Sequence, residues 1–219
     1  MPKSEKQIKY LAKAAHITSG IFRTIATVIK PGISEIEIAQ SIESIIKKKG
    51  LKRSFRTIVA SGRNAAKPHA KATERKIKES DMVVVDFGVI YRGYHSDMTR
   101  TIMVGKADYA MRRLYDTVKI AQKKAIKKLK PGLRISDLVC GIHDYMRKRG
   151  MARYILHSLG HGVGTKVHEA PKLSEKNKHI LKEHTVVAIE PGLYMKKRGG
   201  VRIEDMVLIE KNGARMLTG

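Results

Sequence analysis

Four acidic residues lie in or at the ends of apolar, β-like segments, where a charged side chain needs a partner. Asp86 lies in VVVDFG, and Asp97 lies in the next such segment, YHSDMTRTIMV. Glu190 follows VVAI, and Glu204 follows VRI. Because an unpaired buried carboxylate is costly, each of these groups must be neutralised, paired or bound to a cation.

The spacing of the first two acids is typical of a β-hairpin. If its turn is centred on Tyr91 and Arg92, Asp86 lies directly opposite Asp97. Facing residues on antiparallel strands have Cβ atoms about 4.5–5.5 Å apart, and two carboxylates at that distance repel each other. The pair therefore predicts a cation between them.

The second pair repeats this arrangement around Lys197, which would place Glu190 opposite Glu204. A single such acid is more often a solvated strand end or the partner of a Lys or Arg, but two matched pairs on apolar segments argue against that explanation. With His161, four converging carboxylates form a hard, oxygen-rich site for two divalent ions, which binuclear hydrolases hold about 3.5–4 Å apart.

The elements that must position these residues are a mixture of helices and strands. Ser34 and Glu37 form a capping box at the start of one helix. Helices are predicted near residues 5–29, 35–49, 108–129 and 136–149. Strands are predicted near residues 55–61, 82–88, 94–104, 153–159, 185–191 and 201–209. This combination of helices and strands predicts the α+β class.

Two segments of equal length, 100 positions apart, repeat the same pattern. Lys30–Gly50 and Lys130–Gly150 each begin with Lys-Pro-Gly, continue as an amphipathic helix and end with a basic turn. His69 and His168 also lie at nearly equivalent places. A period near 100 is too long for a solenoid, so we expect two related halves that face each other across the metals.

The chain resembles a known family over nearly its whole length, from about Glu5 to Gly219. The resemblance depends on SGRNAAKPHA, DFGVIYRGYHSDMTRT, HSLGHGVGTKVHEAP, IEPGLY and GGVRIED, in the order and spacing of the pita-bread metallopeptidases. These include methionine aminopeptidases, X-Pro aminopeptidases and prolidases. The resemblance implies a pita-bread fold, a pseudo-twofold curved antiparallel β-sheet with helices on its outer face. It also implies a dimetal centre whose ligands are Asp86, Asp97, His161, Glu190 and Glu204.

Two residues favour the X-Pro branch of this family. His157 stands four residues before His161, and Arg202 stands two before Glu204; both positions are similar to X-Pro aminopeptidases and prolidases rather than to methionine aminopeptidases. Since strand residues i and i+2 share a face, Arg202 should point into the carboxylates. There it would hold an acid ionised or orient a substrate carboxylate. The expected activity is X-Pro aminopeptidase, with methionine aminopeptidase and X-Pro dipeptidase as alternatives.

The expected mechanism is hydrolysis by a hydroxide that bridges the two metal ions. By resemblance, Glu190 is both ligand and general base, His168 stabilises the oxyanion, and His69 contacts the scissile bond of a peptide with a free amino terminus. Oxygen ligands favour manganese, and the single imidazole also admits cobalt, zinc or iron.

The length of 219 residues and the absence of a linker predict one catalytic domain, with related halves at roughly 1–105 and 106–219 and no separate amino-terminal domain of the kind that larger X-Pro enzymes carry. No apolar segment approaches the roughly 18 residues of a membrane span, and Met1 to Lys13 lacks a signal-peptide core. We therefore expect a cytoplasmic protein without a membrane partner, either a monomer or a homodimer. The single Cys140 excludes an intrachain disulfide.

The net charge of +25 is the unusual feature of the composition. It indicates either a solvated basic surface or association with a polyanion such as ribosomal RNA. With 5% aromatic residues, sequence-specific nucleic-acid binding is not expected. A non-catalytic alternative is a pita-bread module that binds nucleic acid or the ribosome, but the complete ligand set favours an enzyme.

Overall fold

The computed structural model describes residues 2–219, and its helices follow the predicted ones closely. They are α1 (Glu5–Ala26), α2 (Glu35–Lys48), α3 (Tyr109–Lys128) and α4 (Ile135–Lys148). The predicted capping box of α2 is confirmed, because the Ser34 N–H donates to the Glu37 carboxylate at 2.7 Å and the Glu37 N–H donates to the Ser34 hydroxyl. Across residues 2–219, no helix is long and apolar enough to span a bilayer.

The strands form antiparallel sheets. In chain order they are β1 (Lys52–Arg53), β2 (Ile58–Ser61), β3 (Met82–Phe87), β4 (Val89–Tyr91), β5 (Tyr94–His95), β6 (Met98–Met103), β7 (Gly160–Gly162), β8 (Glu169–Leu173), β9 (Val186–Ile189), β10 (Gly192–Met195), β11 (Gly199–Arg202), β12 (Asp205–Glu210) and β13 (Gly213–Met216). One sheet has the order β2-β3-β6, and the largest has the order β13-β12-β9-β7-β8. Smaller sheets are β1-β4-β5 and β10-β11. The predicted α+β class is confirmed.

The register of the first hairpin differs from the predicted one. Asp86 pairs with Thr99, and the turn is centred on Arg92 and Gly93, one residue later than predicted. Both turn residues have positive φ, 52° and 82°, as in a type I′ turn, which favours glycine at the second position. Asp97 is therefore a diagonal neighbour of Asp86 on the same face, and the prediction that the two are directly opposite is wrong.

The second hairpin has the predicted register. β10 pairs with β11 around Lys197, and β9 pairs with β12 in the same register. Glu190 and Glu204 lie in the interval between these two ladders and so face each other. The strand predicted over 201–209 is divided at this point into β11 and β12.

The strand predicted over 153–159 is wrong. A short 3₁₀ helix, Ala152–Tyr154, occupies its start, and strand β7 begins only at Gly160. A Cβ on Gly160 would overlap the carbonyl oxygen of Ala188 in β9, so the close approach of these strands requires glycine. Because glycine is generally depleted in strands, residue propensities favoured the preceding apolar residues instead.

The two repeated segments make corresponding backbone contacts. The Gly32 N–H donates to the Ile77 carbonyl at 3.0 Å, and the Gly132 N–H donates to the Leu181 carbonyl at 2.9 Å. Each helix that follows begins beside a later segment of the chain. Ser34 forms an isolated β-bridge with Lys76 before α2, and Arg134 forms one with Ile180 before α4. The sequence repeat therefore corresponds to a repeat of local structure.

Alternation along β3 separates the helix-packing side from the side that carries chemistry. Val83, Val85 and Phe87 are buried with apolar residues of α1 and α2. Asp86 therefore points to the opposite face of the sheet. In the second half, β9 and β12 pack on α3 and α4 through a larger apolar cluster.

Candidate active site

The five predicted ligands converge on one centre. They are Asp86 at the end of β3, Asp97 before β6, His161 in β7, Glu190 after β9 and Glu204 before β12. The Nε2 atom of His161 lies 3.6 Å from a carboxylate oxygen of Asp97 and 3.6 Å from one of Glu190. It lies 4.0 Å from an oxygen of Glu204. These distances are too long for hydrogen bonds and are typical of groups arranged around a shared ion.

Two oxygen atoms of this cluster are buried without a hydrogen-bond partner in residues 2–219, namely Asp86 Oδ1 and Glu204 Oε1. The other oxygen of each carboxylate is bonded, Asp86 Oδ2 to Arg202 at 2.7 Å and Glu204 Oε2 to the Thr99 hydroxyl at 2.8 Å. A buried carboxylate oxygen without a donor is costly unless a cation satisfies it. Since Asp86, Asp97 and Glu204 offer oxygens within 4.8 Å of one another, the donor set fits a hard divalent ion.

The pKa values of the acids reflect their burial. Burial, with the neighbouring carboxylates adding to it, raises the pKa of Asp97 and of Glu204 well above the usual range. Burial raises the pKa of Glu190 to about 8. Because buried carboxylates repel one another and lack hydration, such a cluster binds protons or other cations strongly.

The imidazole of His161 is neutral and has one nitrogen free for a ligand bond. Burial lowers its pKa to about 4. Its Nδ1 atom lies 3.1 Å from the Gly162 carbonyl oxygen, which can only accept, so Nδ1 carries the proton. The lone pair of Nε2 therefore faces the carboxylates, as expected for a metal-binding histidine oriented by a backbone carbonyl.

Arg202 connects the acidic cluster to residues from both halves of the chain. Its side chain is buried, and its guanidinium donates to Asp86 at 2.7 Å, to the Tyr194 hydroxyl at 2.7 Å and to the Pro68 carbonyl at 3.1 Å. Its Nε–H donates to the Thr99 hydroxyl at 3.1 Å. Of the two roles expected from sequence, the geometry supports the one directed at the acids, because Arg202 forms an ion pair with Asp86.

A hydrogen-bond chain continues from Arg202 to His157. Because the Tyr194 hydroxyl accepts from Arg202, its own proton is directed to His157 Nε2, 2.8 Å away. The His157 Nδ1–H donates to the Ser158 carbonyl at 2.8 Å. Burial lowers the pKa of His157 to about 4, so its imidazole is neutral, as this chain of donors and acceptors requires.

The remaining predicted residues line the same cleft, whose volume is about 860 Å³. His69 and His168 are exposed in it, and the ring of His168 lies 4.3 Å from that of His161. Lys71 and Lys172 lie on its rim. The structure thus brings together every residue that the sequence predicted for the site.

The model of the metallopeptidase family M24 matches residues 9–211. The chain belongs to this family. The resemblance to pita-bread metallopeptidases and the predicted fold are confirmed, since solved M24 structures superpose on the chain over its whole length. Membership also indicates that the site uses divalent metal.

Several M24 relatives are closely similar to this chain. The Xaa-Pro dipeptidase of Pyrococcus horikoshii is 42% identical over 217 residues, which are 99% of this chain and 62% of the relative. The prolidase structure from Pyrococcus furiosus is 41% identical with a TM-score of 0.96, over 100% of this chain and 65% of that one. The X-Pro aminopeptidase structure from Thermotoga maritima is 35% identical with a TM-score of 0.95, over 100% and 62%. The chain therefore spans less than two thirds of the length of these M24 proteins.

Sequence reasoning missed Tyr194 and Thr99, whose hydroxyls join Arg202 to its neighbours in this M24 site. Neither residue carries a charge that looks out of place in an apolar strand. The signal that could have found them is strand alternation, because Thr99 lies two residues after Asp97 and shares its face.

Proposed function

We propose that this chain is the catalytic portion of a proline-specific exopeptidase, which hydrolyses the bond between an amino-terminal residue and a proline in the second position. The observation that carries the proposal is the pair of unsatisfied buried oxygens, Asp86 Oδ1 and Glu204 Oε1, beside the neutral imidazole of His161 in a peptide-sized cleft. The chain's similarity to an Xaa-Pro dipeptidase and to an X-Pro aminopeptidase supports the proposal.

We further propose that the five converging residues hold two divalent ions. Asp97 lies 3.6 Å from the Nε2 atom of His161 and also belongs to a group of candidate ligands with Asp86 and Glu204. A carboxylate shared by two groups suits a pair of adjacent ions. The oxygen-rich set favours Mn²⁺, and the imidazole also admits Co²⁺, Zn²⁺ or Fe²⁺. When bound, the ions would make a water nucleophilic near neutral pH and polarise the scissile carbonyl.

The side chains around this centre have complementary roles in the proposed reaction. Glu190, a carboxylate of the cluster 3.6 Å from His161, would take the proton of the attacking water and pass it to the proline nitrogen. His168 is exposed, unlike the buried ligands, and donates a hydrogen bond to the developing oxyanion. His69, which also lines the cleft, contacts the scissile peptide. The carboxylate cluster attracts the ammonium group of the substrate.

Within the family, the hydrogen-bonded chain of Arg202, Tyr194 and His157 supports the X-Pro branch over methionine aminopeptidase. X-Pro aminopeptidase remains our first assignment. X-Pro dipeptidase is the second candidate, because Lys71 and Lys172 on the cleft rim have no ion-pair partner in residues 2–219 and offer partners for the carboxylate of a dipeptide.

The test is release of the first residue by the metal-loaded chain from three substrates: an X-Pro-Y peptide, a Met-Ala-Y peptide and an X-Pro dipeptide. We expect turnover of the X-Pro-Y peptide that a chelator abolishes and Mn²⁺ restores. Turnover of the dipeptide alone would select the dipeptidase assignment, and release from Met-Ala-Y alone would refute proline specificity. No turnover of any substrate would favour the binding-module alternative.

We also propose that the basic surface binds polyanions such as ribosomal RNA. Lys119, Lys123 and Lys127 lie exposed at four-residue intervals along α3 and form no ion pair in the described chain. The test is RNA binding at increasing salt, where the affinity should fall steeply because counterions are released. Binding that is insensitive to salt would contradict the electrostatic explanation.

A further inference from the structure

Glu35, the first residue of α2, is fully buried, and no cationic side chain in residues 2–219 pairs with it. Its carboxylate instead accepts hydrogen bonds from three residues of one loop. Oε1 accepts from the Ser61 N–H and hydroxyl, both at 2.7 Å. Oε2 accepts from the Thr73 N–H at 3.1 Å and hydroxyl at 2.6 Å. The Asn64 amide donates to both oxygens, each at 3.1 Å.

These bonds close the two ends of the segment 61–73, which we call the His69 loop. Its middle is held separately, because the Pro68 carbonyl accepts a hydrogen bond from Arg202. His69 itself is exposed in the cleft and makes no hydrogen bond within the described residues. The backbone of the loop therefore determines the position from which the His69 imidazole extends into the cleft.

The second half of the chain indicates that α2 does not itself need this carboxylate. Ile135 begins α4 at the position that corresponds to Glu35. The backbone bonds match, since the Glu35 N–H donates to the Arg75 carbonyl at 3.1 Å and the Ile135 N–H donates to the His179 carbonyl at 3.0 Å. An apolar residue thus supports the same helix start. Burying an acid at this position is costly, and its donors all belong to the His69 loop.

We propose that Glu35 is a positioning residue for the reaction, which acts by fixing the His69 loop and hence the place of His69 beside the scissile peptide. The role of His69 rests on the proposed function, whereas the anchoring of the loop does not. A displacement of a substrate-contacting group by about 1 Å is enough to lower a rate by about 100-fold.

The test compares Glu35→Gln with the control Glu37→Gln in the metal-loaded chain. Glutamine has an NH₂ group in place of one carboxylate oxygen. This group cannot accept the hydrogen bonds that Ser61 or Thr73 donates, so one end of the His69 loop is released. We expect faster amide-hydrogen exchange across residues 61–73, unchanged metal content, and kcat/KM on an X-Pro-Y peptide lower by about 10- to 100-fold. Glu37 is half-exposed and contacts Ser34 and Lys76 rather than the loop, so its variant should retain loop exchange and kcat/KM within about two-fold.

A double-mutant cycle separates positioning from general destabilisation. If Glu35 acts through His69, Glu35→Gln should lower kcat/KM little further in a His69→Ala chain. Fully additive effects, or loop exchange unchanged by Glu35→Gln, would overturn the inference. If Glu35→Gln does not fold, Thr73→Val removes one hydroxyl donor and is expected to loosen the loop in the same way. A wild-type chain without turnover would refute the proposed function alone, because the exchange measurement still decides the anchoring.

Discussion

Glu204 divides its carboxylate between two environments, since one oxygen accepts from Thr99 and the other has no partner in the described residues. Glu204→Gln replaces one oxygen by a donor, which cannot bind a cation. We expect loss of bound metal and at least about a 100-fold fall in turnover, measured by metal analysis and peptide hydrolysis. Glu210→Gln is the control, because Glu210 ends strand β12, which follows Glu204, and pairs with Arg215 near the surface. A Glu204→Gln chain with full metal and normal turnover would contradict the ligand assignment.

At the scale of single residues, sequence predicts a charged group within an apolar strand better than a residue that suits its local element. Asp86 and Glu204 are conspicuous because a carboxylate within an apolar strand demands a partner. Tyr194 and Glu35 are not conspicuous, since a tyrosine suits a strand and a glutamate suits the first turn of a helix. Their importance depends on contacts with residues distant in the chain, which no local pattern encodes.

At the scale of elements, the helices were predictable because amphipathic periodicity and the Ser34 capping box agree. The hairpins show the limit of the same reasoning. Charge symmetry found the correct centre at Lys197, where Lys197 itself has a positive φ of 67°. In the first hairpin the same reasoning placed the centre of the turn one residue too early. The turn there is positioned by Gly93, which readily adopts the positive φ that the turn requires. Backbone conformation outweighed side-chain pairing there.

The first turn provides a prediction about stability. Gly93→Ala should lower the free energy of unfolding by about 1–2 kcal/mol, because φ is +82° and a Cβ there would meet no other atom, so the effect is conformational alone. Gly20→Ala, within α1, should raise it by about 0.5–1 kcal/mol, since a Cβ there makes only an ordinary contact. Denaturant unfolding of both variants measures the difference. A stabilised Gly93→Ala chain would contradict the turn assignment.

At the scale of the whole molecule, the metal centre should make stability depend on pH. Without metal, Glu190 has a pKa of about 8 in the folded chain and 4.5 when exposed, so the folded state binds the proton more tightly and stability is lost as pH rises toward 8. His157 and His161 act oppositely, but only below their exposed value of 6.5. Between pH 6.5 and 8 the acids determine the direction of the trend, because most of the histidine contribution lies at lower pH.

We therefore expect the Tm of the chelator-treated chain to fall from pH 6.5 to pH 8. With saturating Mn²⁺ the fall should disappear or reverse, because the ion binds the ionised carboxylates more tightly as protons leave. Thermal unfolding at several pH values in this window, with and without metal, measures both. A metal-free Tm that stays constant or rises across the window would count against a carboxylate cluster that needs a cation.

The order of the ligands along the chain has a consequence for biosynthesis. Asp86 and Asp97 leave the ribosome first, whereas Glu204 follows them by more than 100 residues. Arg202, which neutralises Asp86, also emerges late. A nascent chain therefore lacks the last of the five converging residues until Glu204 has cleared the exit tunnel, and the proposed hydrolytic activity would be withheld during translation by the order of synthesis itself.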